Sequence, residues 1–245
     1  MSDAPSGRRI AVVTGASRGL GATLARYLAA EGFDLIVTAR GASELDLVGR
    51  DLRGLGAEVR SRAGDVTDPD HRRALHDLLP RERGLDLLVN NASELGPSPL
   101  PSLDRYPIAD LERVYRVNLV APIAIVQEFL SPLERAAGLV VNISSDAAIG
   151  GYPGWGGYGA SKAALDLVSR TLAQELRGRN VAVVSVDPGD LRTAMHQAAY
   201  PGQDISDRPL PEVTLPFWAW LLHQPPQSIS GHRYRAQSDR WEVPA

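Results

Sequence analysis

The sequence predicts an α/β chain built as a single doubly wound parallel sheet with helices on both faces. Three observations predict it. Short β-branched runs alternate with longer stretches of helical period, those runs are apolar on both faces, and no repeat or Gly/Ser/Pro linker divides the 245 residues. Strands apolar on both faces need cover on both sides, which single helices between parallel strands provide. Right-handed crossovers then give one twisted sheet.

Residues 1–8 are polar and are expected to form a flexible tail before one domain spanning 9–245. Ile10–Thr14 reads as the first strand, a β-prone run ending in glycines, and Leu20–Ala30 as the helix after it. Further strands are expected at Asp34–Ala39, Glu58–Arg62, Leu85–Asn90, Gly138–Ser144 and Asn180–Asp187, each a Val/Ile/Leu-bearing run between helical stretches. Those helices fall at Ser43–Leu55, Asp68–Arg81, Ile108–Leu130 and Tyr158–Leu176. Pro188, Pro201, Pro209 and Pro211 make 188–212 an irregular excursion, and 190–222 is expected to serve as a substrate loop or lid. Glu212–His223 reads as a short apolar helix and His232–Gln237 as a final edge strand.

Composition excludes several classes. Hydrophobic residues make up 44% and charged residues 22%, which is globular usage. The longest apolar runs, Leu119–Val126 and Leu215–Leu222, fall short of the ~18–20 residues that span a bilayer. A net charge of −3 without a basic block argues against a nucleic-acid partner. With no cysteine there is neither a disulfide framework nor a thiolate metal site, so a cytoplasmic home is expected. No His/Asp/Glu cluster has ligand spacing, and no metal is expected.

The first strand runs into Gly15-Ala16-Ser17-Arg18-Gly19-Leu20-Gly21 and then a helix. Glycines permit a tight turn and close backbone approach, and the helix N-terminus offers unpaired N–H groups to a pyrophosphate. An acidic residue about 20 positions further on would select NAD. Arg40 stands there instead, and Arg18 lies in the loop. Two guanidiniums suit a 2′-phosphate, so NADP(H) is the expected cofactor.

Helix 158–176 opens Tyr158-Gly-Ala-Ser-Lys162, with phenol and ammonium on one helix face. Lys162 is the single lysine among 26 basic residues. A nearby cation favours the phenolate and would bring the phenol toward the working pH as a general acid or base. Ser145 ends the fifth strand, where such sheets place their ligands, and its hydroxyl can steady a substrate carbonyl oxygen. Tyr152 and Trp155 lie in the Gly-rich stretch before Tyr158 and are candidate pocket walls; His196 lies in the expected lid.

Thr14-Gly15-x-x-x-Gly19-x-Gly21, Asn90-Asn91-Ala92, Asn118, Ser145, Tyr158-x-x-x-Lys162 and Pro188-Gly189 together resemble the short-chain dehydrogenase/reductase family, in its simple type of roughly 250 residues. The resemblance covers about residues 9–193. It implies a Rossmann-like sheet of about seven strands and a catalytic tetrad of Asn118, Ser145, Tyr158 and Lys162. Tyr158 would exchange the proton with a small carbonyl or alcohol substrate, Lys162 would lower its pKa and bind the nicotinamide ribose, and Asn118 would hold a water. Asp65 and Val66 would bound the adenine, Asn91 and Ala92 would flank the cofactor, and Pro188, Gly189 and Thr193 would meet the nicotinamide. A homodimer or homotetramer is implied as well. Two departures stand out: Ser93 replaces the usual glycine after Asn-Asn-Ala, and Ser230-Gly-His-Arg-Tyr-Arg-Ala replaces the usual Asp/Gly-rich ending. The reaction expected is NADP(H)-dependent interconversion of a carbonyl and an alcohol. The alternatives are a cofactor-sensing scaffold without chemistry, and an isomerase or dehydratase that uses the cofactor transiently.

Overall fold

A computed structural model describes residues 7–243 of the chain. Strands β1 (Ile10–Thr14), β2 (Asp34–Ala39), β3 (Val59–Ala63), β4 (Leu87–Asn90), β5 (Leu139–Ile143), β6 (Ala182–Asp187) and β7 (Arg233–Arg235) form one sheet in the order β3-β2-β1-β4-β5-β6-β7. Every neighbouring pair is parallel. The chain order reverses between β1 and β4, and the crevice beyond the carboxyl ends of strands at such a reversal is where open α/β sheets bind ligands.

Alternate residues of β1 show why both faces must be covered. Ala11 and Val13 enter one core with Leu24, Leu28, Leu35 and Val37, while Ile10 and Val12 enter the other with Leu88, Ile125, Val140 and Val183. Helices α1 (Gly19–Ala30) and α2 (Ala42–Gly54) supply Leu24, Leu28, Leu45 and Leu52 to the first core. Helix α3 (Pro69–His76) gives Leu75 to the second, and Asp68 caps it by accepting from the Asp70 N–H at 2.9 Å.

The expected helix 108–130 is not continuous. It runs as α4 (Ile108–Tyr115), a π turn at Arg116–Val120 and α5 (Ala121–Glu128). Pro122 has no N–H to close the ordinary bond to the Asn118 carbonyl, so the ladder widens there and the Ala121 N–H bonds back to the Arg116 carbonyl. After α6 (Leu130–Ala136) and β5, the long helix α7 (Gly156–Glu175) begins two residues earlier than expected. Helix α3 ends five residues early, shortly before Pro80. The excursion 188–212 is less irregular than its prolines suggest. It contains α8 (Ala194–Ala199), whose first turn is capped by the Thr193 hydroxyl accepting from the His196 N–H at 3.2 Å. Helix α9 (Leu215–Leu222), preceded by a single 3₁₀ turn, buries Phe217 and Trp218, and α10 (Pro226–Ile229) leads into β7.

Of the expected flexible tail, residues 1–6 lie outside the described residues. Arg8 is tied down, donating to the carbonyls of Gly32 at 3.2 Å and Gly56 at 2.8 Å. Among the described residues no helix is long and apolar enough to cross a membrane.

Candidate active site

A cleft of about 1210 Å³ opens along the carboxyl ends of the strands. Drug-sized ligands occupy pockets of roughly 300–1,000 Å³, so this one has room for a dinucleotide and a small second ligand. It is walled by every residue expected to bind a cofactor: Gly15, Ser17, Arg18, Gly19, Leu20, Gly21, Arg40, Asp65, Val66, Asn91, Ala92, Pro188, Gly189 and Thr193. Ser145, Tyr158 and Lys162 line the same cleft.

The glycine loop is held open by its neighbours. The Asn91 side chain donates to the carbonyls of Thr14 at 2.9 Å and Gly15 at 3.2 Å, and the Thr14 hydroxyl accepts the backbone N–H groups of Asn91 and Ala92. Gly15 takes φ +66, and a Cβ on Gly21 would overlap the Gly15 carbonyl and the Asn91 amide. Glycine is the residue that lets helix α1 start this close to the loop. The result is a cradle of backbone aimed at the cleft, the shape a pyrophosphate needs.

Arg18 and Arg40 line the same cleft beside that cradle, and both are exposed. Arg40 is not free: its guanidinium meets Glu94 at 3.2 Å, and Arg113 meets the other oxygen of that carboxylate at 2.7 Å. No motif marks Glu94 in the sequence, and only the fold brings it opposite Arg40.

At the other end, Ser145 follows β5 and caps a short turn, its hydroxyl donating to Asp146 at 3.0 Å and accepting from the Ala147 N–H at 3.1 Å. Tyr158 sits in the first turn of α7, buried against Leu95, Ala147 and Ala199, with Trp155 edge-on at 5.8 Å. Burial pushes its phenol up to about 12, against the pull of the Ser93 and Ser145 hydroxyls beside it. Lys162, 2% exposed, donates to the Ile143 carbonyl at 2.7 Å. Burial pushes this ammonium down to about 8, opposed by Asp166. Desolvation of the ring sets the direction of the shift on the phenol, and the Lys162 ammonium lies 5.6 Å from the ring centre.

Asn118 does not reach the cleft. Fully buried, its side-chain oxygen accepts from the Ser93 hydroxyl at 3.1 Å and the Glu94 N–H at 2.7 Å, while its amide donates to the Glu94 carbonyl at 2.9 Å and the Ser161 hydroxyl at 3.0 Å. Every lone pair and proton of that amide is thus committed to protein, and its side chain frames the 93–94 segment. Tyr152 and Trp155 both wall the cleft. His196 does too, one-tenth exposed and packed on Tyr200 at 5.1 Å between centroids.

Comparison with known proteins bears on this arrangement. The short chain dehydrogenase family model matches residues 9–204. The chain belongs to the short-chain dehydrogenase family. It is 35% identical over 218 residues to L-xylo-3-hexulose reductase of Hypocrea jecorina, covering 79% of this chain and 70% of that one. It is also 35% identical over 201 residues to the rhamnolipids biosynthesis 3-oxoacyl-[acyl-carrier-protein] reductase of Pseudomonas aeruginosa, covering 76% and 74%. Among solved structures it superposes on a putative short chain dehydrogenase of Escherichia coli CFT073 complexed with NADPH, with TM-score 0.86, 28% identity and coverage of 95% and 98%. As a short-chain dehydrogenase the chain is an oxidoreductase that uses a nicotinamide cofactor and a small-molecule substrate.

The cleft fits such a cofactor on its own features. The backbone cradle around Gly15 and Gly21 suits a pyrophosphate. Lys162, a buried ammonium with three donors, lines the cleft and makes one hydrogen bond to protein, which leaves two donors that ribose hydroxyls can accept. Among the described residues no group of His, Asp and Glu has the makings of a metal site.

Proposed function

We propose that this short-chain dehydrogenase interconverts a carbonyl and an alcohol on a small organic substrate, with NADP(H) as its cofactor and Tyr158 as general acid and base. The observation that carries the reading is the convergence of Ser145, Tyr158 and Lys162 on one cleft that continues into the Gly15–Gly21 cradle. Nicotinamide supplies or accepts the hydride. The chain's own residues manage the proton and the charge. In reduction the Tyr158 hydroxyl, kept protonated by burial, hands its proton to the substrate oxygen as negative charge builds there. The Ser145 hydroxyl turns from Asp146 toward that oxygen and stabilises it. Lys162 presents its two remaining N–H donors to the ribose and its charge to the phenol. Asn118 holds the backbone of Glu94 and the hydroxyl of Ser93 in place behind the phenol.

Preference for NADP(H) rests on Arg18 and Arg40 beside the adenosine end and on the absence of a carboxylate at the end of β2. Pro188, Gly189 and Thr193 would face the nicotinamide, and Asp65 with Val66 the adenine. The 190–222 segment would act as the substrate lid. The exposed apolar side chains Ile108, Val120 and Leu167 along α4, the π turn and α7 support a homodimer or homotetramer, and a cysteine-free chain suits the cytoplasm. The test is spectrophotometric: purified protein should consume NADPH with at least one ketone or aldehyde of a broad panel. Tight NADPH binding without turnover across the panel would turn the assignment toward a cofactor sensor.

A further inference from the structure

Arg233 stands on β7, the edge strand, in the segment that departs from the family's usual ending. Its guanidinium is drawn inward. Nε donates to Asp166 Oδ2 at 2.9 Å, while Nη2 donates to Asp187 Oδ2 at 3.1 Å and to the Ser145 carbonyl at 2.8 Å. The three acceptors come from three elements: the end of β5, the end of β6 and helix α7. Each adjoins the proposed chemistry. Ser145 is one of the proposed catalytic residues. Asp187 precedes Pro188-Gly189, and its Oδ1 accepts the Gly189 N–H at 2.9 Å. Asp166 lies four residues after Lys162, one turn further along the same helix face.

We infer that Arg233 is a positioning residue for the hydride-transfer end of the cleft, one cation that locks Ser145, the Pro188-Gly189 turn and helix α7 into a single geometry. The inference rests on the oxidoreductase reading above. Its physical content is that Asp166 and Asp187 are buried carboxylates with no other cation bonded to them among the described residues, so removing the guanidinium leaves two desolvated charges in the wall of the site. The strand does not need Arg233 to stay in the sheet. Gly231 donates to the Val183 carbonyl at 2.7 Å, the Ser185 N–H to the His232 carbonyl at 3.1 Å and Ala236 to the Asp187 carbonyl at 2.8 Å. Tyr234 packs its ring on Phe217 and Trp220. The side chain of Arg233 is spent on the site instead.

An electrostatic consequence follows. The groups acting on the Tyr158 phenol are Asp187 from β6, Asp146 from the turn after β5, the Ser93 and Ser145 hydroxyls, and Lys162 on its own helix. Arg233 is bonded to the first of these and to Asp166, so it screens the negative charge that makes the phenol harder to ionise.

Steady-state kinetics of the full chain with NADPH and a reducible carbonyl, and of the reverse alcohol oxidation from pH 6 to 10.5, tests this. Arg233→Leu should keep its NADPH affinity and lower kcat about 10- to 100-fold. The pH at which alcohol oxidation reaches half its maximum, brought below the phenol's cofactor-free value by the positive ring of the oxidised nicotinamide, should move upward. Arg233→Lys should restore the pH midpoint and part of kcat, because it returns the charge without the three-way reach. Arg235→Leu, exposed on the same strand, should match wild type. Wild-type kcat and pH midpoint in folded Arg233→Leu would overturn the inference, as would an equal loss in Arg235→Leu. If Arg233→Leu does not fold, Arg233→Lys decides: a lowered kcat at an unmoved midpoint supports the assignment, and an unchanged kcat overturns it. A wild-type protein that turns over no carbonyl sinks the oxidoreductase reading itself, a result distinct from any of these.

Discussion

The Lys162 ammonium stands 5.6 Å from the centre of the Tyr158 ring, one helical turn away on α7. Burial works against the charged form of each group, raising the phenol to about 12 and lowering the ammonium to about 8. The chain therefore holds a protonated phenol beside a buried ammonium.

Replacing Tyr158 with Phe keeps the ring, and with it the contacts to Leu95, Ala147 and Trp155, and deletes only the hydroxyl. Carbonyl reduction should fall about 10²–10⁴-fold, the typical contribution of a positioned general acid. NADPH affinity, followed by fluorescence titration, should change little. Full turnover in Tyr158→Phe would remove the proton-donor role.

Lys162 links activity to stability in opposite directions. Its folded pKa of about 8 lies below the ordinary 10.5, so between those values the unfolded chain binds more protons and wild-type stability rises with pH. Below pH 8 the buried charge costs about 3 kcal/mol. Lys162→Met removes that cost and leaves the Ile143 carbonyl without its partner, which returns about 1–3 kcal/mol. The variant should melt a few degrees above wild type at pH 7, where ~1 kcal/mol moves Tm by about 2–4 °C in a chain of this size. At pH 10 the advantage should shrink or reverse, and at both pH values turnover should be largely lost. Equal destabilisation of the variant at pH 7 and pH 10 would contradict the burial argument.

The glycine loop admits a sharper geometric test. A methyl group on Gly21 would overlap the Gly15 carbonyl and the Asn91 side chain together, and these two are hydrogen-bonded to each other at 3.2 Å. Gly21→Ala should force the loop apart and weaken NADPH and NADH alike by at least about tenfold. Retained affinity for both cofactors would show that the pyrophosphate is bound elsewhere.

Much of the fold was legible because parallel strands buried on both faces write continuous apolar runs. All seven strands lie at or within a residue or two of their expected places. The helices were harder. The π turn at Arg116–Val120 depends on one missing N–H at Pro122, and α8 is a six-residue helix between prolines, too short for its period to register. At the site, the expected residues from Gly15 to Thr193, Asn118 excepted, line one cleft, because they end strands or open helices at the same edge of the sheet. Glu94 and Arg233 were not legible. Their meaning comes from partners 54 and 88 residues away, Arg40 and Ser145, and no local pattern encodes such a pairing. The burial that pushes the Tyr158 phenol up was not legible either: spacing reveals the lysine but not how deeply the ring is buried.

Cofactor choice can be tested at the Arg40–Glu94 pair. In this structure Arg40 is 61% exposed and shares Glu94 with Arg113, so to engage a 2′-phosphate it must loosen one ion pair to form another. A pair whose arginine is this exposed contributes only about 0–1 kcal/mol, whereas a charge-assisted bond to phosphate is stronger and often two-pronged. Arg40 should therefore transfer to the phosphate when NADPH binds. Arg40→Asp should weaken NADPH at least about tenfold more than NADH, since NADH has nothing there for the guanidinium to hold. Glu94→Gln should act the other way, releasing Arg40 and tightening NADPH a few-fold while leaving NADH unchanged. Both shifts are measurable as Kd ratios by titrating each variant with the two cofactors at fixed ionic strength. Equal weakening of the two by Arg40→Asp would place the 2′ position away from this arginine.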